Sequence, residues 1–471
     1  MPELGRREFI TGAALSALAV LPGKLAAEPP KGKKHPNILL LIADDLGDRD
    51  AGCYGHPTIR TPSLDRIAAG GMRFTNAFVT TSSCSPSRAS MFTGRYPHAT
   101  GAEALHMPLP EGTKILPTYL SELGYFTANV GKLHLGPVGA ARFDRVEERP
   151  TDWKQVLEER PRKGPFFLAV GFRDPHRPYQ PDTVPDPTDP ADVIVPPYLV
   201  DTSETRADLA GYYDECLRMD RETAKILDWL KANGLEKDTL VIFVSDNGMP
   251  FPRAKTTCYD SGVRVPFLVR WPGRVPERSV SQSLISTVDL TPTILSILGR
   301  KVPEAMQGTD ASPLFFDPRA GVRAYVHIQR NWHNLDDHQR GCRDKRYKYI
   351  KNNRPRMFTT SSDLLQSPSY LSLLAKRDLN QLTAEQMRLW MIPRPGEELY
   401  DTWTDPFEFT NLAADTRYAQ ILERMRAETE RWRAATGDYP PGRRYKDNLD
   451  IFTREKYGKT SGAPERYEKE K

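Results

Sequence analysis

The chain has 471 residues, 39% hydrophobic and 27% charged, with 41 prolines; this length exceeds one ordinary compact core, and the composition excludes a disordered or fibrous chain. Its 66 basic and 61 acidic residues leave a formal charge of +5, a mild excess that assists an anionic substrate without implying a nucleic-acid partner. Five cysteines, Cys53, Cys84, Cys216, Cys258 and Cys342, are too sparse and too irregularly spaced for a disulfide scaffold or a zinc site.

At the start, Arg6-Arg7-Glu8-Phe9-Ile10 precedes an apolar run from Ile10 to Leu21 and small residues at Ala26-Ala27. That layout predicts a twin-arginine-type signal peptide over 1–27 and export to the periplasm or beyond a bacterial cell. A dozen or so apolar residues fall short of the roughly 20 needed to cross a bilayer, so no stable membrane span is expected. Pro29, Pro30 and the Lys-rich stretch to Lys34 make a linker over 28–35.

Asn37 to Ala43 is a continuous apolar run that predicts a strand covered on both faces, ending in Asp44-Asp45. Phe166 to Val170 and Leu240 to Val244 read the same way, and Phe267 to Arg270 is a weaker strand. Helical patterns fall between them at Leu116 to Leu123, Arg206 to Asn233 and Leu290 to Leu298. The alternation predicts an α/β domain over 36–320, a mostly parallel mixed sheet sandwiched by helices, with ligands at the carboxyl ends of its strands. From about Gly321 the texture changes to short strands, Ala324 to Ile328 and Arg346 to Ile350. A loop-rich insert from Pro355 to Pro395 and an amphipathic helix from Arg417 to Arg433 follow. This predicts a smaller C-terminal α+β domain over 321–440 and a charged, solvated tail over 441–471.

Chemistry concentrates in Cys84-Ser85-Pro86-Ser87-Arg88-Ala89-Ser90-Met91-Phe92-Thr93-Gly94-Arg95. Asp44-Asp45 and Asp246-Asn247 each close a predicted strand, which would bring both pairs to one sheet edge. Their hard oxygen donors favour calcium or magnesium over zinc. Lys132 and His134, in Gly131-Lys132-Leu133-His134, alternate on one side of an extended segment and would share one pocket. His176, in Asp174-Pro175-His176, follows another strand, and an imidazole is a side chain suited to proton transfer near neutral pH. Taken alone, either acidic pair also reads as a helix cap or turn, and each Lys or His as a surface charge or a hydrogen-bonded core histidine.

The Cys84 segment resembles the signature of the sulfatase family: Cys two residues before Pro, four before Arg, and Thr-Gly beyond. The resemblance implies an alkaline-phosphatase-like fold, one calcium ion held by Asp44, Asp45, Asp246, Asn247 and the modified Cys84, and conversion of Cys84 to formylglycine by a formylglycine-generating enzyme before export. A hydrated aldehyde can attack sulfur with one hydroxyl and expel sulfate by collapsing back to the aldehyde. It further implies that Arg88, Lys132 and Lys255 steady the sulfate, that His134 touches the nucleophile and that His176 protonates the leaving group. About four negative charges, three carboxylates and the sulfate ester, then face two from calcium and three from the basic side chains.

Within the family, Asp174-Pro175-His176-Arg177, Arg206-Ala207-Asp208-Leu209-Ala210 and Asp246-Asn247-Gly248-Met249-Pro250-Phe251-Pro252 are similar to the heparan N-sulfatase (sulfamidase, N-sulfoglucosamine sulfohydrolase) branch. That implies a sulfated saccharide substrate of glycosaminoglycan type, with heparan sulfate degradation as the setting; a homodimer is an assembly the resemblance allows. Lys255 departs from that branch, which carries arginine there, and lysine is not equivalent in bidentate anion binding. An O-sulfatase, a phosphodiesterase or phosphonate hydrolase of the same superfamily, and a sugar-binding protein with unmodified Cys84 are the competing readings. Gln329 to His333 and the basic run Arg340 to Lys348 are further candidates for sugar contact.

Overall fold

Twelve strands form two sheets in the computed structural model, which describes residues 35–440 except 162, 182 and 357–360, together with Gly442. The expected signal peptide 1–27, all of the linker before His35 and nearly all of the tail lie outside the described residues. In chain order the strands of the large sheet are β1 Asn37–Ala43, β2 Met72–Phe78, β3 Phe126–Gly131, β4 Arg145–Glu147, β5 Phe166–Gly171, β6 Thr239–Ser245, β7 Phe267–Arg270 and β8 Ser279–Ser286. They lie in the order β4-β3-β5-β1-β6-β7-β2-β8, parallel except for β7, which runs against both neighbours. The mixed, mostly parallel sheet expected from the alternating pattern is therefore present.

β1 shows why its run is apolar throughout. Ile38, Leu40 and Ile42 enter one core, while Leu39 and Leu41 enter the core on the opposite face. A helix of 30 residues, Ser203–Ala232, covers that second face with Leu209, Tyr212, Cys216, Met219, Ile226 and Leu230, spaced three, four or seven apart. It begins ahead of the expected Arg206 because the Thr202 side chain accepts a hydrogen bond from the Thr205 N–H and caps it. Strands β2, β3 and β8 escaped prediction since polar residues interrupt them, as in MRFTNAF and SVSQSLIS.

The second sheet is antiparallel, β12-β11-β10-β9, from β9 Val326–Arg330, β10 Gln339–Arg343, β11 Tyr347–Asn352 and β12 Glu397–Asp401. Met425 on the helix Ala419–Thr436 packs with Cys342, Tyr349 and Leu399 to cover it. The insert expected to be loop-rich contains two helices, Pro368–Asp378 and Ala384–Met387. Capping explains both: Ser367 accepts from the Tyr370 N–H, and Thr383 with Gln386 forms a reciprocal capping box.

Candidate active site

Four neighbouring parallel strands, β3, β5, β1 and β6, end side by side, and main-chain hydrogen bonds carry their ladder one to three residues further. Lys132 N–H donates to the Gly171 carbonyl (2.7 Å), Asp44 N–H to the Asp174 carbonyl (3.0 Å) and Asp246 N–H to the Ala43 carbonyl (3.1 Å). The residues following each strand are thereby fixed against one another. Gly131 and Gly171 permit the approach: Gly131 has φ +76°, and a Cβ on Gly171 would stand 2.0 Å from the Lys132 carbonyl oxygen.

Both acidic pairs meet here, as their strand-end positions predicted. Asp45 N–H donates to Asp246 Oδ1 (3.2 Å), and Asn247 Nδ2 donates to Asp45 Oδ1 (2.6 Å). Asp45 itself has φ 74°, a left-handed conformation for a non-glycine residue, which is the kind of strain that surrounding structure must hold in place. Cys84 opens the wholly buried helix Cys84–Thr93 and sets Sγ 3.8 Å from Asp45 Oδ1. Ligand atoms of Asp44, Asp45, Cys84 and His176 all lie within 4.8 Å of one another.

Every carboxylate in the cluster has a protein cation. Lys132 Nζ is 2.5 Å from Asp44 Oδ2, Arg88 Nε 2.7 Å from Asp246 Oδ2, and Lys255 Nζ 2.8 Å from Asp45 Oδ2. Arg88 also donates to the Lys132 carbonyl (2.5 Å), joining the helix to the end of β3. Burial works against the charge on Asp44, but Lys132, His176 and Arg88 hold its carboxyl well below the usual range. Burial dominates at Asp246 and pushes its carboxyl up to about 6, with Arg88 offsetting only part of that cost. It likewise raises the Cys84 thiol well above its ordinary value. An unmodified thiol here is therefore a poor nucleophile.

Asp44 Oδ1 and Asn247 Oδ1 are buried with no hydrogen-bond partner. Orphaned hard oxygens beside clustered carboxylates fit a cation such as calcium or magnesium, since each would otherwise forgo its solvation without return.

His176 is oriented from behind. Its Nδ1 meets the Arg177 carbonyl, and Nε2 faces Asp45 Oδ2 at 3.8 Å. On either side, Asp174 takes two hydrogen bonds from Arg218 (2.8 and 2.6 Å), and Arg177 gives two to Asp208 (2.5 and 2.7 Å). Both anchors stand on the helix Ser203–Ala232. Arg177 also donates to the Pro250 carbonyl and lies 4.7 Å from the Phe251 ring centroid. The three segments that looked like separate motifs, around Asp174, Asp208 and Pro250, are thus one support for the His176 loop.

A cavity of about 550 Å³ opens over the cluster and is lined by Cys84, Lys132, His134, His176 and Lys255 among others. His134 reaches it differently from expectation. Its φ of 60° makes the segment a left-handed turn, not an extended alternation, and its Nε2 is 2.8 Å from His106 Nδ1. Burial, with Lys132 nearby, lowers the His134 imidazole to about 2, so it stays neutral.

Two residues went unseen in the sequence: His106 and Asp363, both lining the cavity from loops far apart in the chain. Asp363 Oδ2 is 3.0 Å from Lys255 Nζ and 4.0 Å from His176 Nε2. It adds one negative charge to the tally made from sequence. Against burial, Asp363 and Asp45 keep the Lys255 ammonium well above its ordinary value.

Of the proposed sugar contacts, His333 reaches the cavity and pairs with Ser83 (2.8 Å). Trp332 is buried against Ala104 and Leu105. The basic run does not line the cavity, and three of its residues have buried partners: Arg340 on Asp438, Arg343 on Asp260, and Lys348 on Asp260 and Glu408. Buried pairing of this kind fixes the small sheet to its surroundings.

Residues 36–152 and 151–300 match the sulfatase family model, and 253–393 match the model described as N-sulphoglucosamine sulphohydrolase, C-terminal. Human N-sulphoglucosamine sulphohydrolase is 33% identical over 90% of this chain and 94% of its own. An ulvan-active sulfatase of Formosa agariphila is 30% identical, covering 86% and 76%. A structure solved in complex with its substrate D-glucosamine-2-N,6-O-disulfate superposes with TM-score 0.69 at 20% identity, covering 87% of this chain and 99% of that one; it shares the fold.

Proposed function

This chain belongs to the sulfatase family, and on that premise we propose that it is an exported, calcium-dependent hydrolase that removes the N-sulfate from glucosamine residues of heparan-type saccharides. The observation that carries the reading is the meeting of Cys84, at a helix N-terminus, with Asp44, Asp45 and His176 within 4.8 Å. We keep residues 36–320 as the catalytic domain, 321–440 as the smaller one and 1–27 as the export signal.

Formylglycine at position 84 would supply the oxygen nucleophile, and calcium on Asp44, Asp45, Asp246 and Asn247 would supply Lewis acidity. The chain's own residues do the rest. Lys132 and Lys255 line the cavity together with Cys84 and grip the sulfate oxygens. Arg88, fully buried and not part of the cavity lining, holds Asp246 and the end of β3 in place and acts on the sulfate site through them. Neutral His134 donates a hydrogen bond at the nucleophile, with His106 setting its ring. His176 Nε2 delivers the proton that the departing atom needs.

An O-sulfatase is the second reading, favoured by Lys255, a point charge where the N-sulfatase branch carries a planar guanidinium. Protein co-expressed with its formylglycine-generating enzyme, given N-sulfated and 6-O-sulfated glucosamine side by side, decides between them. Sulfate release from the N-sulfated sugar is expected; release from the 6-O-sulfated sugar alone would overturn the N-sulfatase reading. The mass of the peptide spanning Cys84 must show the aldehyde in the active preparation.

A further inference from the structure

We propose that Asp363 determines preference for a nitrogen–sulfur bond over an oxygen–sulfur bond, by pairing with the amine that departs. The inference rests on the N-sulfatase reading above and assigns a residue to it.

The two reactions end in different charge states. Hydrolysis of an N-sulfate runs R–NH–SO₃⁻ + H₂O → R–NH₃⁺ + SO₄²⁻. The S–N bond breaks, its electron pair stays on nitrogen, and the nitrogen gains two protons to become a cation. Hydrolysis of an ester runs R–O–SO₃⁻ + H₂O → R–OH + SO₄²⁻ + H⁺, and the oxygen passes through partial negative charge before ending neutral. A carboxylate beside the departing atom favours the first course and opposes the second.

Asp363 stands where that difference is felt. It lines the cavity over Cys84, one hydrogen bond from Lys255, which grips sulfate, and 4.0 Å from the imidazole nitrogen of His176 that serves the departing atom. Its other oxygen, Oδ1, is buried and has no well-aligned hydrogen-bond partner among the described residues, with the Ser361 side chain close enough to favour the charged carboxyl. Lys255, His333 and His176 hold the carboxyl well below the usual range despite burial, so it is charged throughout neutral pH. For a site meant only to bind a sulfate ester, a carboxylate against the sulfate-gripping lysine is counterproductive; for a site that generates an ammonium it is complementary.

The test compares wild type, Asp363→Asn and Asp363→Glu, each converted at Cys84 and loaded with calcium. Turnover of N-sulfoglucosamine and of an aryl sulfate is measured, with inhibition by glucosamine, N-acetylglucosamine and inorganic sulfate. In D363N, N-sulfate kcat/KM should fall at least ~30-fold more than aryl-sulfate kcat/KM, and glucosamine inhibition should weaken roughly tenfold or more while N-acetylglucosamine inhibition stays unchanged. D363E, which keeps the charge, should recover part of both, and it serves as the readout if D363N does not fold. Weaker inhibition by sulfate with glucosamine inhibition intact would mean that Asp363 merely positions Lys255, and would overturn the proposal. Wild type that turns over O-sulfates and no N-sulfate would remove the N-sulfatase reading itself, and this proposal with it.

Discussion

Removing Arg88 should damage the fold as well as the rate. The family resemblance implies a cation that steadies sulfate; full burial gives it a structural role as well. Arg88 is fully buried, and its Nε is the only cationic partner within 3 Å of Asp246 among the described residues. Arg88→Ala strands a buried carboxylate, at a cost of about 3–5 kcal/mol. A lost donor to the Lys132 carbonyl adds about 1 kcal/mol. Protonation caps the loss. Asp246 is pushed up to about 6 even with Arg88 in place, so without Arg88 it takes up a proton near neutral pH, each unit of further rise being worth about 1.4 kcal/mol. In chelator at pH 7.5, the urea midpoint of R88A should therefore fall by an amount equivalent to about 3–5 kcal/mol, and the deficit should shrink at pH 5. An unchanged midpoint at pH 7.5 would refute the claim that Arg88 neutralises Asp246.

Four other outcomes are expected. In the metal-free protein, Asp246 has a folded-state value raised from 3.8 to about 6, so the native state binds the extra proton and its stability falls as pH rises through that window; calcium, which needs the carboxylate, should raise Tm more at pH 7.5 than at pH 5, and equal increments would remove Asp246 from the ligand set. Cys84→Ala should abolish turnover with a change in unfolding free energy of about 1 kcal/mol or less, measured in urea. His176→Ala should lose roughly 10²-fold or more on sugar substrates and far less on aryl sulfates with good leaving groups, and equal losses would take it out of the acid role. Gly171→Ala should lose both activity and stability, because its Cβ would meet the Lys132 carbonyl at 2.0 Å; a variant with wild-type kcat/KM and Tm would show that the ends of β3 and β5 can part without harm.

What the sequence disclosed follows from where the signals are local. β1, β5 and β6 are unbroken apolar runs, so both their existence and their central place in the sheet could be read, and with them the strand-end positions of Asp44, Asp45, Asp246 and Asn247. β2 and β8 mix polar with apolar residues and became visible only through their pairing with each other. Asp363 and His106 belong to no pattern: each is a single polar residue in a loop, brought to the cavity by long-range folding. Arg340 and Lys348 misled in the other direction, since a run of positive charge gives no sign of whether its partners are solvent, substrate or buried carboxylates such as Asp438 and Asp260.

The main-chain ladder beyond the strand ends has a consequence for how the protein comes into being. Lys132, Asp174, Ala43 and Asp246 are linked in one row although they are drawn from four widely separated parts of the chain. No early helix or hairpin can pre-assemble that row, and closing it requires loops of roughly 40 to 200 residues, the slow class of contact in folding. Catalytic competence should consequently be among the last properties gained on refolding, and a nascent chain released before β6 will hold the nucleophile's helix yet have no second acidic pair to set against it.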